Sequence, residues 1–283
     1  MTPTCAAAPL DPGCVLTQAE IHRAGWLPVD AHPSADARLT GPGRAVPAAG
    51  PLPRAQRILA VTARPGQETA ELGGLLHAFH GTGASLALLC LTRGEASPLN
   101  STYQPLAAIR PWELQLAASI LGISSVTVAN YPDGGLGRYP LAELAEHVRR
   151  AIREHTPGLL LVIDPAAGDP DDTAIAAATC TAARQAGVPT VARTAPAAQG
   201  AWVIDLGAET AAARAIQRSA AAAHASQSAA LPQIKRRLDS LGSREHPRWL
   251  VPQDQSTPGK PLAAACAPVP GLTGQPGGSR DEA

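Results

Sequence analysis

A doubly wound α/β domain, Rossmann-like and with a mainly parallel sheet, is the fold this sequence predicts. Three observations carry that reading. Short continuous apolar runs recur, helical stretches of a dozen residues or more separate them, and glycine or proline punctuates the junctions. Unbroken apolar strands belong to a sheet covered on both faces, and strand–helix alternation is the pattern of parallel βαβ units.

Taken in order, RILAVTA (57–63) reads as a buried strand, and a helix follows from about Glu68 to His80. SLALLCL (85–91) is a second buried run. A long helix from Leu106 to Leu121 then stops at Gly122, where a left-handed residue ends a helix without strain. SVTVAN (125–130) runs into the turn YPDGG, and a helix spans Leu141 to Glu154. Pro157-Gly158 precedes LLLVI (159–163), and a helix from Asp171 to Ala186 ends at Gly187. VPTVA (188–192), WVIDL (202–206) and a helix from Glu209 complete the alternation. In such sheets ligands bind beyond the carboxyl ends of the strands, at the switch in strand order. That singles out the loops Arg64–Glu68, Thr92–Ser97 and Asp164–Asp172.

Composition narrows the function classes. Lys plus Arg and Asp plus Glu are 23 each, so the formal charge is zero. That gives no electrostatic case for a nucleic-acid or membrane-surface partner. The 26 glycines and 28 prolines exceed the share in average proteins, and they concentrate toward the ends. Residues 1–53 therefore read as a Pro/Ala-rich extension with one short helix near Thr17–Ala24, 54–251 as the domain, and 252–283 as a disordered tail. No apolar run reaches the roughly 20 residues of a membrane helix. The N-terminus lacks a charged segment followed by an apolar one, so no signal peptide is expected. Five scattered cysteines (Cys5, Cys14, Cys90, Cys180 and Cys266) form neither a disulfide framework nor a zinc pattern, and the expected location is cytoplasmic.

The loops carry motifs that make sense only together. They are Ala63-x-Pro65-x-x-Glu68, Leu72-Gly73-Gly74, Thr92-Arg93-Gly94-Glu95, Arg110-x-x-Glu113-Leu114, Leu121-Gly122 and Pro132-Asp133-Gly134. After these come Gly168-x-Pro170-Asp171, His224-x-Ser226-Gln227 and Leu241-Gly242-x-Arg244-Glu245-His246. In this order and spacing the chain resembles the PIG-L (LmbE-like) family of zinc-dependent N-deacetylases over residues 54–251. The resemblance implies two His and one Asp on zinc, an Asp general base and a His that steadies the transition state, drawn from an AHPDDE-like and a GHPDH-like segment. Every one of those positions is changed here. The first His ligand is Arg64, the base is Gly66 and the Asp ligand is Gln67. The transition-state His is Asp169, and the last His ligand is Asp172.

Arginine offers a metal no lone pair, glutamine is a poorer ligand than a carboxylate, and glycine accepts no proton. Losing the activated water and its base together costs orders of magnitude in rate. No catalytic group of the family is intact and no cofactor is expected. Arg64 is read as a cation standing in for the metal and pairing with Asp172, Asp169 or both; independent drift of these residues is the competing reading. An all-oxygen metal site from Glu68, Asp169, Asp171 and Asp172, with Asp164 nearby, stands as a further alternative, against the ordinary preference of acidic residues for helix N-termini.

Glu95, Arg110 and Asp133 match positions beside the substrate pocket in sugar-processing members of the resembled family. Their architectural counterpart is an Arg110–Glu113 helix pair and a turn carboxylate. AHPSAD (31–36) imitates the lost motif but follows no strand, and Gly81-x-Gly83 precedes a strand without opening a helix. His77 and His80 read as exposed or capping residues of the first helix, His147 and His155 as helix surface, and His224 as structural. Three functions remain open: a metal-free pseudoenzyme that serves in binding an amino-sugar-like small molecule, in regulation or in partner binding, an N-acyl hydrolase with a rearranged site, or a non-hydrolytic enzyme reusing the pocket. Oligomeric state is not set by the sequence.

Overall fold

The computed structural model describes residues 48–252. The helix expected near Thr17–Ala24, the AHPSAD segment, the tail beyond Pro252, Cys5, Cys14 and Cys266 lie outside the described residues.

Hydrophobic runs become strands where they were expected. The strands β1 (Arg57–Thr62), β2 (Ser85–Thr92), β3 (Ile123–Tyr131), β4 (Leu159–Ile163), β5 (Thr190–Arg193) and β8 (Pro247–Val251) form one sheet, ordered β3-β2-β1-β4-β5-β8. The first five are parallel, and β8 runs antiparallel to β5 at the edge. Every residue of β4 is buried, as a central strand covered on both faces requires.

Helices cover the two faces. One face carries α4 (Leu141–His155) and α5 (Pro170–Ala186), packed on Leu59, Val61, Leu89, Leu91 and Leu160. The other carries α2 (Gly73–Gly81), α3 (Leu106–Ile120) and α6 (Thr210–Ala223), packed on Ile58, Leu86, Leu88, Leu159 and Leu161. The helix α7 (Leu231–Leu241) buries Ile234 and Leu238 in a smaller cluster with Ala70, Leu99 and Ala221. Gly122 and Gly187 adopt φ of 77° and 67°, the left-handed stops that the sequence predicts.

The structure corrects the expected elements in four places. The helix expected over Glu68–His80 is two, a single turn α1 (Gln67–Ala70) and then α2. The break falls at Glu71, whose buried carboxylate is drawn to Arg193 at 2.8 Å and to Arg237. WVIDL contributes only β6 (Ile204–Asp205), which pairs with β7 (Arg244–Glu245) in a separate two-stranded sheet. The main sheet's edge is taken instead by β8, whose few residues abut a proline-rich stretch and give little periodic signal. The helix α7 was likewise not expected; its two buried residues among charged ones are a faint amphipathic pattern.

Residues 49 and 50 join the domain through Gly50, whose N–H donates to the Val203 carbonyl at 2.9 Å. Cys90 and Cys180 are buried thiols. No described helix is long and apolar enough to cross a membrane. With β1 and β4 adjacent, the loops that follow them meet at the carboxyl edge of the sheet, which places the site.

Candidate functional site

Four loops converge there, and each is shaped by its own sequence. After β1 the chain turns through Gly66 at φ 100°, a conformation that suits glycine, and enters α1. Gln67 folds back so that its Oε1 accepts from the N–H groups of Ala63 and Arg64, at 2.9 and 3.1 Å. After β4, Asp169 caps α5 by accepting from the N–H groups of Asp171 and Asp172, at 2.8 and 3.2 Å. Asp171 points toward the turn after β3, where its carboxylate accepts from Gly134 N–H at 2.8 Å and Leu136 N–H at 2.9 Å.

At the centre lies Arg64, 3% exposed. Its Nη1 and Nη2 clasp Asp169 in a two-pronged pair at 2.9 and 3.2 Å. Nη2 also donates to Asp171 Oδ2 at 3.3 Å, and Nε donates to Asp133 Oδ1 at 3.0 Å. One guanidinium thus serves three carboxylates. Such planar, charge-assisted geometry is what arginine offers and lysine does not. Burial works against the charge on Arg64, but Asp133 and Asp169, with Asp172 behind them, raise its pKa above the ordinary value.

Asp172, expected as a partner of Arg64 alongside or in place of Asp169, accepts instead from Gln67 Nε2 at 2.7 Å. Burial and the neighbouring Asp169 push its pKa up to about 7. Burial also raises Asp171. The cluster holds more carboxylates than cations, and a proton on Asp172 relieves part of the excess.

Glu68 faces the opposite way. Its carboxylate accepts from Gly66 N–H at 2.7 Å and Thr69 Oγ1 at 2.8 Å, and meets His224 Nε2 at 2.8 Å. Burial disfavours its charge, yet His224 and these donors hold its pKa below the ordinary range. Both side chains are fully buried, and the pair ties α1 to the end of α6.

Arg110, fully buried, reaches between loops: its guanidinium donates to the carbonyls of Pro65, at 2.6 Å, and Gly94. A Cβ on Gly94 would stand 2.3 Å from that guanidinium, so the close approach needs glycine. Glu113, expected as a helix partner of Arg110, acts electrostatically on it and accepts from Ser226 N–H and Oγ, both at 2.6 Å. Glu95 accepts from Asp133 N–H at 2.9 Å through Oε1, and its other oxygen is buried with no hydrogen-bond partner among the described residues. Asp133 also accepts from Ala96 N–H at 3.2 Å. The structure thus gathers Arg64, Gln67, Asp133, Asp169 and Asp172 into one cluster with Glu95 at its margin, and sets Arg110 behind them.

These residues do not fit a zinc ion. A zinc site needs three or four N, S or O donors with free lone pairs, and here a permanent cation lies among the carboxylates. Both Asp169 oxygens, both Asp171 oxygens and Gln67 Oε1 already accept hydrogen bonds. The grouping of Glu68 with Asp169, Asp171 and Asp172 does not assemble, since Glu68 is engaged by His224. Among the described residues, no three His, Cys, Asp or Glu are placed to hold a metal.

A second buried network was not foreseen. Arg214 donates to Glu245 at 2.6 Å, and Glu71 bridges Arg193 and Arg237. A Cβ on Gly74 would stand 1.9 Å from Glu245 Oε1, which explains the glycine there. The Leu72-Gly73-Gly74 and Arg244-Glu245-His246 matches were the signal for it. His246 is buried beside Arg193, and His147 packs edge-on against Tyr131 at 5.1 Å. His77 and His155 are half-buried and His80 is exposed.

Comparison with known proteins gives concordant results. Residues 59–183 match the family model described as PIG-L: GlcNAc-PI de-N-acetylase. The chain is 30% identical over 115 residues to a probable N-acetyl-alpha-D-glucosaminyl L-malate deacetylase 2 of Bacillus anthracis, a match covering 39% of this chain and 51% of that protein. The chain therefore spans about half the length of that curated relative. In fold it is similar to the zinc-inhibited form of the teicoplanin deacetylase Orf2, with a TM-score of 0.58 and 17% identity over 71% of this chain and all of the other. It is also similar to the N,N'-diacetylchitobiose deacetylase of Pyrococcus horikoshii, with a TM-score of 0.54 and 17% identity over 69% of this chain and 83% of the other.

Two stability predictions follow from the geometry. Replacing Arg64 by Met leaves Asp133, Asp169 and Asp171 without their cation, a loss of about 3–5 kcal/mol. At about 2–4 °C per kcal/mol for a domain of this size, calorimetry should show Tm falling on the order of 10 °C; an unchanged Tm would contradict the pairing. Asp172→Asn tests the raised carboxyl. An ordinary aspartate loses its proton near 3.8 and Asp172 near 7. The folded chain therefore holds an extra proton between those values, and its stability declines as pH rises through them. The variant should gain Tm over wild type at pH 8, by a margin that narrows as pH falls and closes only near pH 3.8, whereas parallel Tm–pH curves would refute the shift.

Proposed function

Because this α/β domain belongs to the PIG-L/LmbE family, we propose that the protein is a catalytically inactive or repurposed relative of the amino-sugar N-deacetylases. It binds a small sugar-like ligand and does not hydrolyse it. The observation that carries this reading is Arg64, buried and shared by Asp133, Asp169 and Asp171 where the resembled family places its first metal ligand. A guanidinium there repels a divalent ion, and no side chain at Gly66 remains to take a proton.

The ligand side of the proposal rests on the margin of the cluster. Glu95 Oε2, buried and without a partner among the described residues, is an acceptor suited to a sugar hydroxyl or an N-acyl amide N–H. Asp133 holds Glu95 in place through its own backbone N–H. Arg110 contributes by fixing the Pro65 and Gly94 carbonyls, a positioning role. In this reading the functional unit is the domain 54–251, and the protein is cytoplasmic, in keeping with the buried thiols of Cys90 and Cys180.

The alternative, an N-acyl hydrolase with a rearranged site, draws on one observation. Asp172, with a pKa near 7, has the proton affinity of a general base. Against it, Asp172 is buried and already accepts from Gln67.

Calorimetric titration with N-acetylglucosamine and its oligomers, run beside an acetate-release assay, separates the readings. The expected result is saturable binding with acetate at the level of the protein-free blank. Glu95→Ala should weaken that binding about tenfold, the worth of one hydrogen bond to a charged acceptor. Acetate release above the blank that is lost in Asp172→Asn would establish the hydrolase instead.

A further inference from the structure

We propose that the outward face of α3 is a contact through which two copies of this chain associate. Four large apolar side chains stand exposed among the described residues, and three of them fall in or just ahead of this helix. They are Tyr103, Trp112 and Leu116, exposed by 73%, 76% and 55%. Trp112 and Leu116 lie one turn apart, and half-buried Ile109 and Ile120 continue the stripe at helical spacing.

The surroundings are poor in charge, with exposed Arg93 reaching the Ala107 carbonyl at the start of the helix, at 3.4 Å. From Gln104 to Tyr131, through α3 and β3, the sequence holds only Arg110 and Glu113 as charged residues. Both are buried, one on loop carbonyls and the other on Ser226. The strand β3 against which α3 packs is the end strand of the sheet, and its nine residues include neither charge nor proline. It thus lacks the charges and prolines that keep many edge strands from pairing, and two register shifts interrupt its ladder with β2. The opposite face shows the contrast, since α4 presents Glu146 in exposed pairs with Arg149 and Arg153.

A second copy fits this face better than a charged partner, which would find only Arg93, at one end of the helix, to select it. The chain's net charge of zero sets up no repulsion between copies. A helix face that meets itself across a two-fold axis sets Trp112 of each copy against Leu116 of the other, so one patch supplies both halves of the contact. Size sets the strength. A 15-residue helix is roughly 22 Å long and about 10 Å wide, so with the Tyr103 loop it buries a few hundred Å² per copy, below the roughly 800 Å² of a standard interface. The dimer is accordingly weak, with Kd on the order of micromolar to tens of micromolar.

Sedimentation velocity of the full chain from about 1 to about 200 µM, spanning that range, tests the proposal. The mass should rise from 28.9 kDa toward twice that value. Trp112→Glu with Leu116→Glu should hold the protein at the monomer mass with unchanged circular dichroism, as both side chains are exposed. The milder Trp112→Ser should weaken association about tenfold, and Leu141→Glu, exposed on α4, should leave it intact. A monomer at every concentration, or a double variant that associates like wild type, overturns the proposal.

Discussion

Buried carboxylates of like charge cannot share a site unless something balances them, and that constraint organises this protein. Asp133, Asp169 and Asp171 reach the carboxyl edge of the sheet from two different loops, and Asp172 stands behind them. A metal ion is one solution to such a convergence, and a guanidinium is another. Arg64 supplies three of its nitrogens, at 2.9 to 3.3 Å, to the three carboxylates. What remains of the negative charge is met by backbone N–H groups at the start of α5, and together with burial it pushes the Asp172 carboxyl up to about 7. Desolvation makes each of these groups costly alone, so the cluster stands or fails as a unit.

The rest of the site is built to hold that unit still. Arg110 draws the first two loops together through their carbonyls, and Glu113 secures the segment after α6 through Ser226. Glu68 and His224 close the gap between α1 and α6. On the far side of α1, Glu71 with Arg193 and Arg237, and Arg214 with Glu245, repeat the theme of buried pairs. The domain retains a framework able to position chemistry, while the groups at its centre neutralise one another.

Much of the architecture was legible in the sequence because it depends on local pattern. β1, β2 and β4 are continuous apolar runs, and Gly122 and Gly187 stop helices where φ turns positive. The elements that escaped depend on distant contacts. The break between α1 and α2 falls at Glu71, whose carboxylate meets Arg193, 122 residues away. The edge strand β8 exists because β5 offers an open side, and its own five residues say little. At the site, an acidic partner for Arg64 was legible from charge, and Asp169 is one. Asp133 and Asp171 were not foreseen as partners, and Asp172 turned to Gln67, because side-chain direction follows from how three loops approach one another. The motif spacing locates the loops without orienting the groups they carry.

The central claim is that a guanidinium stands in place of a metal. Its most direct test is the zinc content of the purified full chain after expression with added zinc and desalting, read by elemental mass spectrometry. The account predicts a ratio of zinc to protein near zero. A ratio near one, abolished when Asp169 and Asp172 are both changed to Ala, would contradict it.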